Sequence, residues 1–359
     1  MTGGCATLRD RGAQPATRAR PATGRAAHRQ VEGRSLFLLL MALLLVGAMA
    51  IGLCVGASGM STADVLLALV RDTGRTHDIV WMLRLPRILM AALVGFGLGL
   101  AGSVFQVVLR NPLASPFTLG VGSAAGFGAV TVIIFFSPGH HLIGVAVGAF
   151  VFSLLSAAVM IAVARMKQAS SETMILTGIA LMFLFSALTS LFQYMGTMQQ
   201  VHEIVFWFFG SLSRAGWREV GLAAAMILSP FPPLLRAAWD FNILIHGDES
   251  AASLGVHPKR LRMWAVAAAS LITAGAICFT CVIGFVGLVA PHITRMIIGS
   301  DHRFLMPGSG LMGGLILVVA DTVARTAWSP QVIPIGIVSS FIGVPFFAFL
   351  LLKRTREYW

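Results

Sequence analysis

Apolar runs of about twenty residues recur from Leu36 to the C-terminal end of this 359-residue chain, and that recurrence restricts the fold more than any other feature. A hydrocarbon core about 30 Å thick takes roughly 20 apolar residues per helical crossing. Hydrophobic residues make up 57% of the chain and charged residues 11%, against about 25% charged in a typical soluble domain. The chain lacks the polar surface that a soluble protein of its length needs. It is therefore expected to be an all-α integral membrane protein. Spans are predicted near 36–57, 86–109, 117–136, 142–164, 174–196, 218–237, 263–283, 284–299, 305–324 and 332–352. The stretch 263–299 is too long for one helix and is divided at Gly284 and Gly287. The apolar segment Glu203–Leu212 is too short to cross and is expected to lie at the membrane surface or to re-enter.

The formal charge of +12 invites a nucleic-acid reading, but its placement excludes one. Seven arginines fall in residues 1–34, an Arg/Ala/Gly/Pro-rich stretch with few large apolar side chains. Such composition cannot bury enough surface to fold. Residues 1–34 are expected to be a disordered basic tail, with the membrane domain filling 35–359. The run Leu36–Ala57 exceeds the roughly 7–15 residues of a signal-peptide core, and a multispan protein follows, so no cleaved signal is expected. With the N-terminus inside, twelve further Lys/Arg fall in the predicted inner loops. The outer loops hold seven, namely Arg71, Arg75, Arg84, Arg87, Arg214, Arg218 and Arg325. That bias places both termini in the cytoplasm.

Several motifs carry less than their letters suggest. Gly97-x-Gly99-x-x-Gly102 matches a dinucleotide-binding fingerprint, which needs a strand before it and a helix opening at it; here it lies inside an apolar span. Gly95/Gly99, Gly122/Gly126 and Gly310/Gly314 read instead as small-xxx-small pairs that let helix backbones approach in lipid. Cys278 and Cys281 form a CxxC with no second pair for a metal, and are expected to pack between helices. No Gly-Lys pair of a Walker A loop precedes Lys167, Lys259 or Lys353, so any ATP hydrolysis belongs to another chain. The spans carry almost no ionisable residues, which disfavours an ion-coupled carrier or channel, the main alternative. Asp321, Arg295 and His292 sit near span ends; His292 has no second ligand beside it and reads as structural. No catalytic residue, cofactor site or metal site is expected.

The loop Trp239–Met263 is the most informative. Asp248 and Glu249 suit a helix N-terminus, and Gly255 suits the C′ position that ends it. Pro258 suits the first turn of a second short helix with basic residues behind it. Two short helices joined at a glycine elbow would form a compact protrusion; the alternative is an ordinary connecting loop.

From about residue 36 to 356 the chain resembles the FecCD-like permeases of ABC importers for iron chelates, haem and cobalamin. The matching segments include Leu83-Arg84-Leu85-Pro86-Arg87, Arg110-Asn111-Pro112-Leu113-Ala114, the loop Gly247–Val256 and Gly284–His292. Asp301-His302-Arg303, Ala320-Asp321-x-x-Ala324-Arg325 and Pro334-Ile335-Gly336 follow in order. The resemblance implies a type II ABC importer fold with ten spans per protomer, a homodimer, and the bacterial inner membrane. It also implies two cytoplasmic ATPase subunits, an external substrate-binding protein and a metal-chelate substrate. A ferric siderophore is expected because that class is the broadest in the family; haem and cobalamin are the alternatives.

The same resemblance assigns roles. Gly247, Asp248, Glu249, Leu254, Gly255, Val256, Pro258 and Arg260 look like the coupling segment that seats on the ATPase. Arg84, Arg87 and Arg325 resemble arginines that pair with carboxylates of the docked binding protein; juxtamembrane arginines reaching lipid phosphate are the alternative. Asn111, Leu113, Ser170, Ser171 and Glu172 match positions of a cytoplasmic gate. Glu172 departs from the small or hydroxyl residue expected there, and by composition alone Ser170–Glu172 reads as a helix N-cap.

Overall fold

The computed structural model describes residues 24–56, 60–136, 142–166 and 170–352, and all regular structure among them is helical. The first helix, α1 (Gly24–Cys54), begins well before the boundary expected at residue 34. Ala26, Ala27, Gln30 and Glu32 favour helix, and Arg34 is held by an ion pair to Asp301 at 3.0 Å. The rest of the expected tail lies outside the described residues. Two short helices follow, α2 (Thr62–Val70) and α3 (Arg75–Asp78), and a π-helical stretch Ile79–Arg84 leads into α4 (Leu85–Val108). Helices α5 (Val121–Phe135) and α6 (Leu142–Met166) pack together through Gly128 and Gly148, each too close to the other's carbonyl to carry a side chain.

Ser170 caps α7 (Ser171–Met195), accepting a hydrogen bond from the Thr173 amide at 3.2 Å. Of the short apolar segment expected at 203–212, residues 203–208 form the end of α8 (Met198–Phe208) and 209–212 follow it without helix. It covers the end of α5, where Gln200 Nε2 donates to the carbonyls of Ile133 and Ile134 at 3.3 and 3.0 Å. Prolines 230, 232 and 233 end α9 (Trp217–Leu228); α10 (Phe231–Arg236) and α11 (Ala238–Leu244) follow, with a 64° bend before α11. The remainder comprises α12 (Asp248–Ser253), α13 (Pro258–Thr280), α14 (Val286–Ile298), α15 (His302–Thr326) and α16 (Ile335–Leu352).

Each predicted span coincides with a helix or a bent run of helices. Six described spans are long and apolar enough to cross a bilayer alone, and the bent α9–α11 run is a seventh candidate; α5, α14 and the Ile335–Phe349 part of α16 are shorter apolar helices. The break expected near Gly284 spans 281–285, where Cys281 and Phe285 both have φ of 65°. Cys278 and Cys281 are buried in an apolar cluster there. His292 meets Phe346 edge-on at 6.4 Å between ring centroids.

Helix α4 is the centre of the bundle and packs most extensively on α15. A side chain on Gly95 would strike the Gly313 carbonyl, and one on Gly99 the Ser309 carbonyl. In lipid, where apolar burial gives helices little reason to associate, backbone approach of this kind supplies the packing. Gly102 has a different cause. Pro291 lacks the N–H that would bond the carbonyl of Gly287 one turn earlier, and that carbonyl oxygen occupies the place of a Gly102 side chain. The dinucleotide-like glycines are thus packing positions on separate faces of α4. Gly122 and Gly126, expected to bring backbones together, instead accommodate the rings of Phe117 and Phe208, and Gly310 that of Phe96.

Gly102→Ala should lower stability in detergent by about 1–3 kcal/mol, the usual cost of overpacking. Gly221→Ala, which meets nothing within 4 Å, should be neutral or stabilising because it removes a helix-interior glycine. Thermal unfolding of the two variants checks the pair; equal midpoints would contradict the packing account.

Candidate coupling loop and the arginine clusters

Gly247, with φ of 108°, opens α12, and Gly255, with φ of 84°, ends it. The Val256 amide donates to the Ala251 carbonyl at 3.0 Å and the Gly255 amide to Ala252 at 3.1 Å. These two bonds form a Schellman closure with glycine at C′, and Ala251 and Val256, the positions of its companion apolar pair, are buried in the same apolar cluster. Pro258 does not begin a second short helix. No glycine or proline interrupts 259–274, so α13 runs unbroken from Pro258 into the membrane span. The protrusion is therefore one short helix, a glycine turn, and the root of a long helix.

The inner side of this unit is fastened. Arg262, 1% exposed, donates to both carboxylate oxygens of Asp248 at 2.6 Å and, through Nε, to the Val108 carbonyl at 3.0 Å. These Arg262 bonds hold the Asp248 carboxyl below its ordinary value. Glu249, Leu254, His257, Lys259 and Arg260 are exposed on the outer side. Asn111 lies beside the same cluster: its amide donates to Gln106 at 3.1 Å and its side chain accepts from the Leu113 amide at 2.9 Å. Arg110, with φ of 46°, has its Nη1 4.0 Å from Asp248. Leu113 and Glu172 are exposed, Ser171 is buried, and the charge of Glu172 interacts with those of Arg110 and Arg262. The residues read from sequence as coupling segment and gate thus share one end of the bundle.

A second cluster at this end centres on Asp301, whose motif the sequence matched without giving it a role. Asp301 caps α15 and binds Arg303, Arg34 and Asn242, which ties α1 and α11 to α15. Burial alone would raise the Asp301 carboxyl, but the bonds from Arg303 and Asn242 outweigh it and bring it to about 2. Its contribution to stability is present above the unfolded value of about 3.9 and is lost only as pH falls toward 2. Among the described residues no three His, Cys, Asp or Glu side chains gather as metal ligands would.

A profile of the FecCD transport family matches residues 42–353. The chain belongs to the FecCD transport family. It is 40% identical over 278 residues to the cobalamin import permease BtuC of Halobacterium salinarum, covering 77% of this chain and 74% of that one. It is 34% identical over 312 residues to the hemin transport permease HmuU of Yersinia pestis, with 85% and 93% covered. The Fe(3+)-citrate import permease YfmE of Bacillus subtilis is 34% identical over 324 residues, with 90% and 96% covered. A solved structure described as an inward-facing conformation of a metal-chelate type ABC transporter superposes with a TM-score of 0.79 at 33% identity, over 88% of this chain and 98% of that one. The protein is accordingly a permease of the metal-chelate ABC importer class, and not itself an enzyme.

At the opposite end of this FecCD permease the three singled-out arginines are engaged within the chain. Arg84 donates to the carbonyls of Leu53 and Cys54 at 2.7 and 3.3 Å. Arg325 donates to Gly52 at 2.9 Å and Val55 at 3.2 Å. These carbonyls end α1, where the last turn has no intrahelical donors, so two arginines complete that helix. Asp321, 1% exposed, joins Arg87 at 2.8 Å and Arg325 at 2.9 Å. None of the three stands open to a partner or to lipid phosphate in this state. The i,i+4 spacing of Asp321 and Arg325 was the available sequence signal.

Asp321→Asn leaves two arginines without their shared carboxylate and should cost about 3–5 kcal/mol, as removal of one partner of a buried pair does. Adding Arg87→Gln should cost less than the sum of the two single changes. Unfolding of the single and double variants checks this; simple additivity would contradict a shared cluster.

Proposed function

We propose that this permease works as a homodimer in the bacterial inner membrane with both termini cytoplasmic, each protomer crossing ten times, and passes a metal chelate between the protomers. The observation that carries the reading is the two-sided build of the 247–262 unit. Its inner side is bonded to α4 and α13, while Glu249, Leu254, His257, Lys259 and Arg260 face outward. A short helix presented in this way suits the groove of a cytoplasmic ATPase subunit, one per protomer, whose nucleotide state biases a two-state dimer. The gate lies at Asn111, Leu113 and Ser170–Glu172, next to that unit. A substrate-binding protein docks at the opposite end. With Arg84, Arg87 and Arg325 held by carbonyls and Asp321, the exposed Arg71, Arg75, Arg214 and Arg218 make first contact with its carboxylates. Engagement of the buried three would require a partner carboxylate to displace Asp321.

The cargo is a metal chelate, in line with the cobalamin, hemin and ferric citrate in the names of three relatives. A ferric siderophore is the first candidate. Such a solute is too polar for hydrocarbon, so the permease supplies an alternately closed route; selectivity rests with the binding protein.

The test is reconstitution of the permease with its cognate ATPase and binding protein in vesicles, loaded in turn with a ferric siderophore, hemin and cobalamin. One of these should accumulate only when ATP and the binding protein are both present, with the siderophore preferred. Accumulation without the ATPase would overturn the importer reading, and preference for hemin or cobalamin would overturn the cargo assignment.

A further inference from the structure

The geometry points to Arg262 as the positioning residue that makes the α12 unit and the end of α4 move as one body, carrying displacement of the coupling segment to the 109–114 loop. The inference rests on the proposed role of the 247–262 segment and gives Arg262, at its end, a task of its own.

Three contacts made by one guanidinium support it. Nη1 and Nη2 fork onto the two Asp248 oxygens, both at 2.6 Å, and Nε donates to the Val108 carbonyl at 3.0 Å. Val108 is the last residue of α4, so its carbonyl belongs to the turn that lacks intrahelical donors. The next residues are Leu109 and Arg110, the latter with φ of 46°, and then Asn111. A push on α12 reaches Asp248, crosses the fork, and arrives at the backbone that leads into the proposed gate.

The guanidinium suits this task on physical grounds. A planar fork fixes both the distance and the orientation of a carboxylate, whereas an ammonium fixes neither. Arg262 is 1% exposed, which closes the guanidinium side of both contacts to water, while the Asp248 carboxylate reaches solvent on its outer side. α12 has six residues, too few to hold a position by its own helical cooperativity, and depends on such an anchor. Arg110 and Glu172, at the proposed gate, lie in the same electrostatic field. The exposed Lys259 and Arg260 precede Arg262 on α13 and share none of its buried contacts; they serve the outer side.

The experiment uses the full permease in complex with its ATPase and binding protein in vesicles. Cargo moved and ATP hydrolysed are both measured per assembled complex. Arg262→Lys keeps the buried charge but cannot make the fork and the carbonyl bond together; Arg262→Gln removes the charge. Cargo moved per ATP should fall on the order of tenfold in Arg262→Lys, within the 5–150-fold range typical of site-to-site coupling, and at least as far in Arg262→Gln. A merely structural role would lower the amount of assembled complex and leave cargo per ATP unchanged, and that result overturns the proposal. If Arg262→Gln fails to assemble, Arg262→Lys decides. Cargo movement without ATP in the unmutated complex would instead sink the importer reading beneath it.

Discussion

The structure depends on the close backbone contacts of α4. One helix is pressed against α15 at Gly95 and Gly99 and against α14 at Gly102, where carbonyl oxygens fill the places that side chains would take. Apolar burial does little to hold helices together in lipid, so close approach and satisfied polar groups must do so. The proline at 291 is part of the same contact, because it releases the Gly287 carbonyl that Gly102 admits. A helix fixed this closely along its length is suited to act as a strut between the two ends of the bundle.

Both ends of that strut are finished by arginine. At one, Arg84 and Arg325 complete the carbonyls of α1, and Asp321 gathers Arg87 and Arg325. At the other, Arg262 completes the last turn of α4 and grips Asp248. In each case a guanidinium with several donors serves a helix C-terminus that would otherwise expose carbonyls without partners. In the proposed function one end would receive cargo from a binding protein and the other force from an ATPase, and α4 runs between them.

The sequence disclosed what is local. Apolar run length located every major helix, and the Gly255–Pro258 spacing located the closure of α12, because a C′ glycine and an N1 proline act through their own backbone. It did not disclose what depends on a distant neighbour. Arg262 and Asp248 lie on different helices, and no periodicity pairs them. Gly122 and Gly126 looked like Gly95 and Gly99, yet they admit rings and not backbone, which is decided by the partner helix. Arg84 and Arg325 read as outward charges because their carbonyl partners at the end of α1 carry no sequence signature, and Arg87 did so because its partner Asp321 lies on the distant α15. Pro258 read as the start of a short helix because a span predicted from hydropathy omits the charged turn at its root.

The most direct test of the central claim is a distance, measured between spin labels on Ala252→Cys and Leu113→Cys within one protomer of the assembled transporter, with and without bound nucleotide. If α12 and the end of α4 form one body, that distance stays the same while the separation between the two Leu113→Cys sites of the dimer changes. A change in the first distance with the second constant would show that the short helix moves on its own and that α4 does not carry its motion.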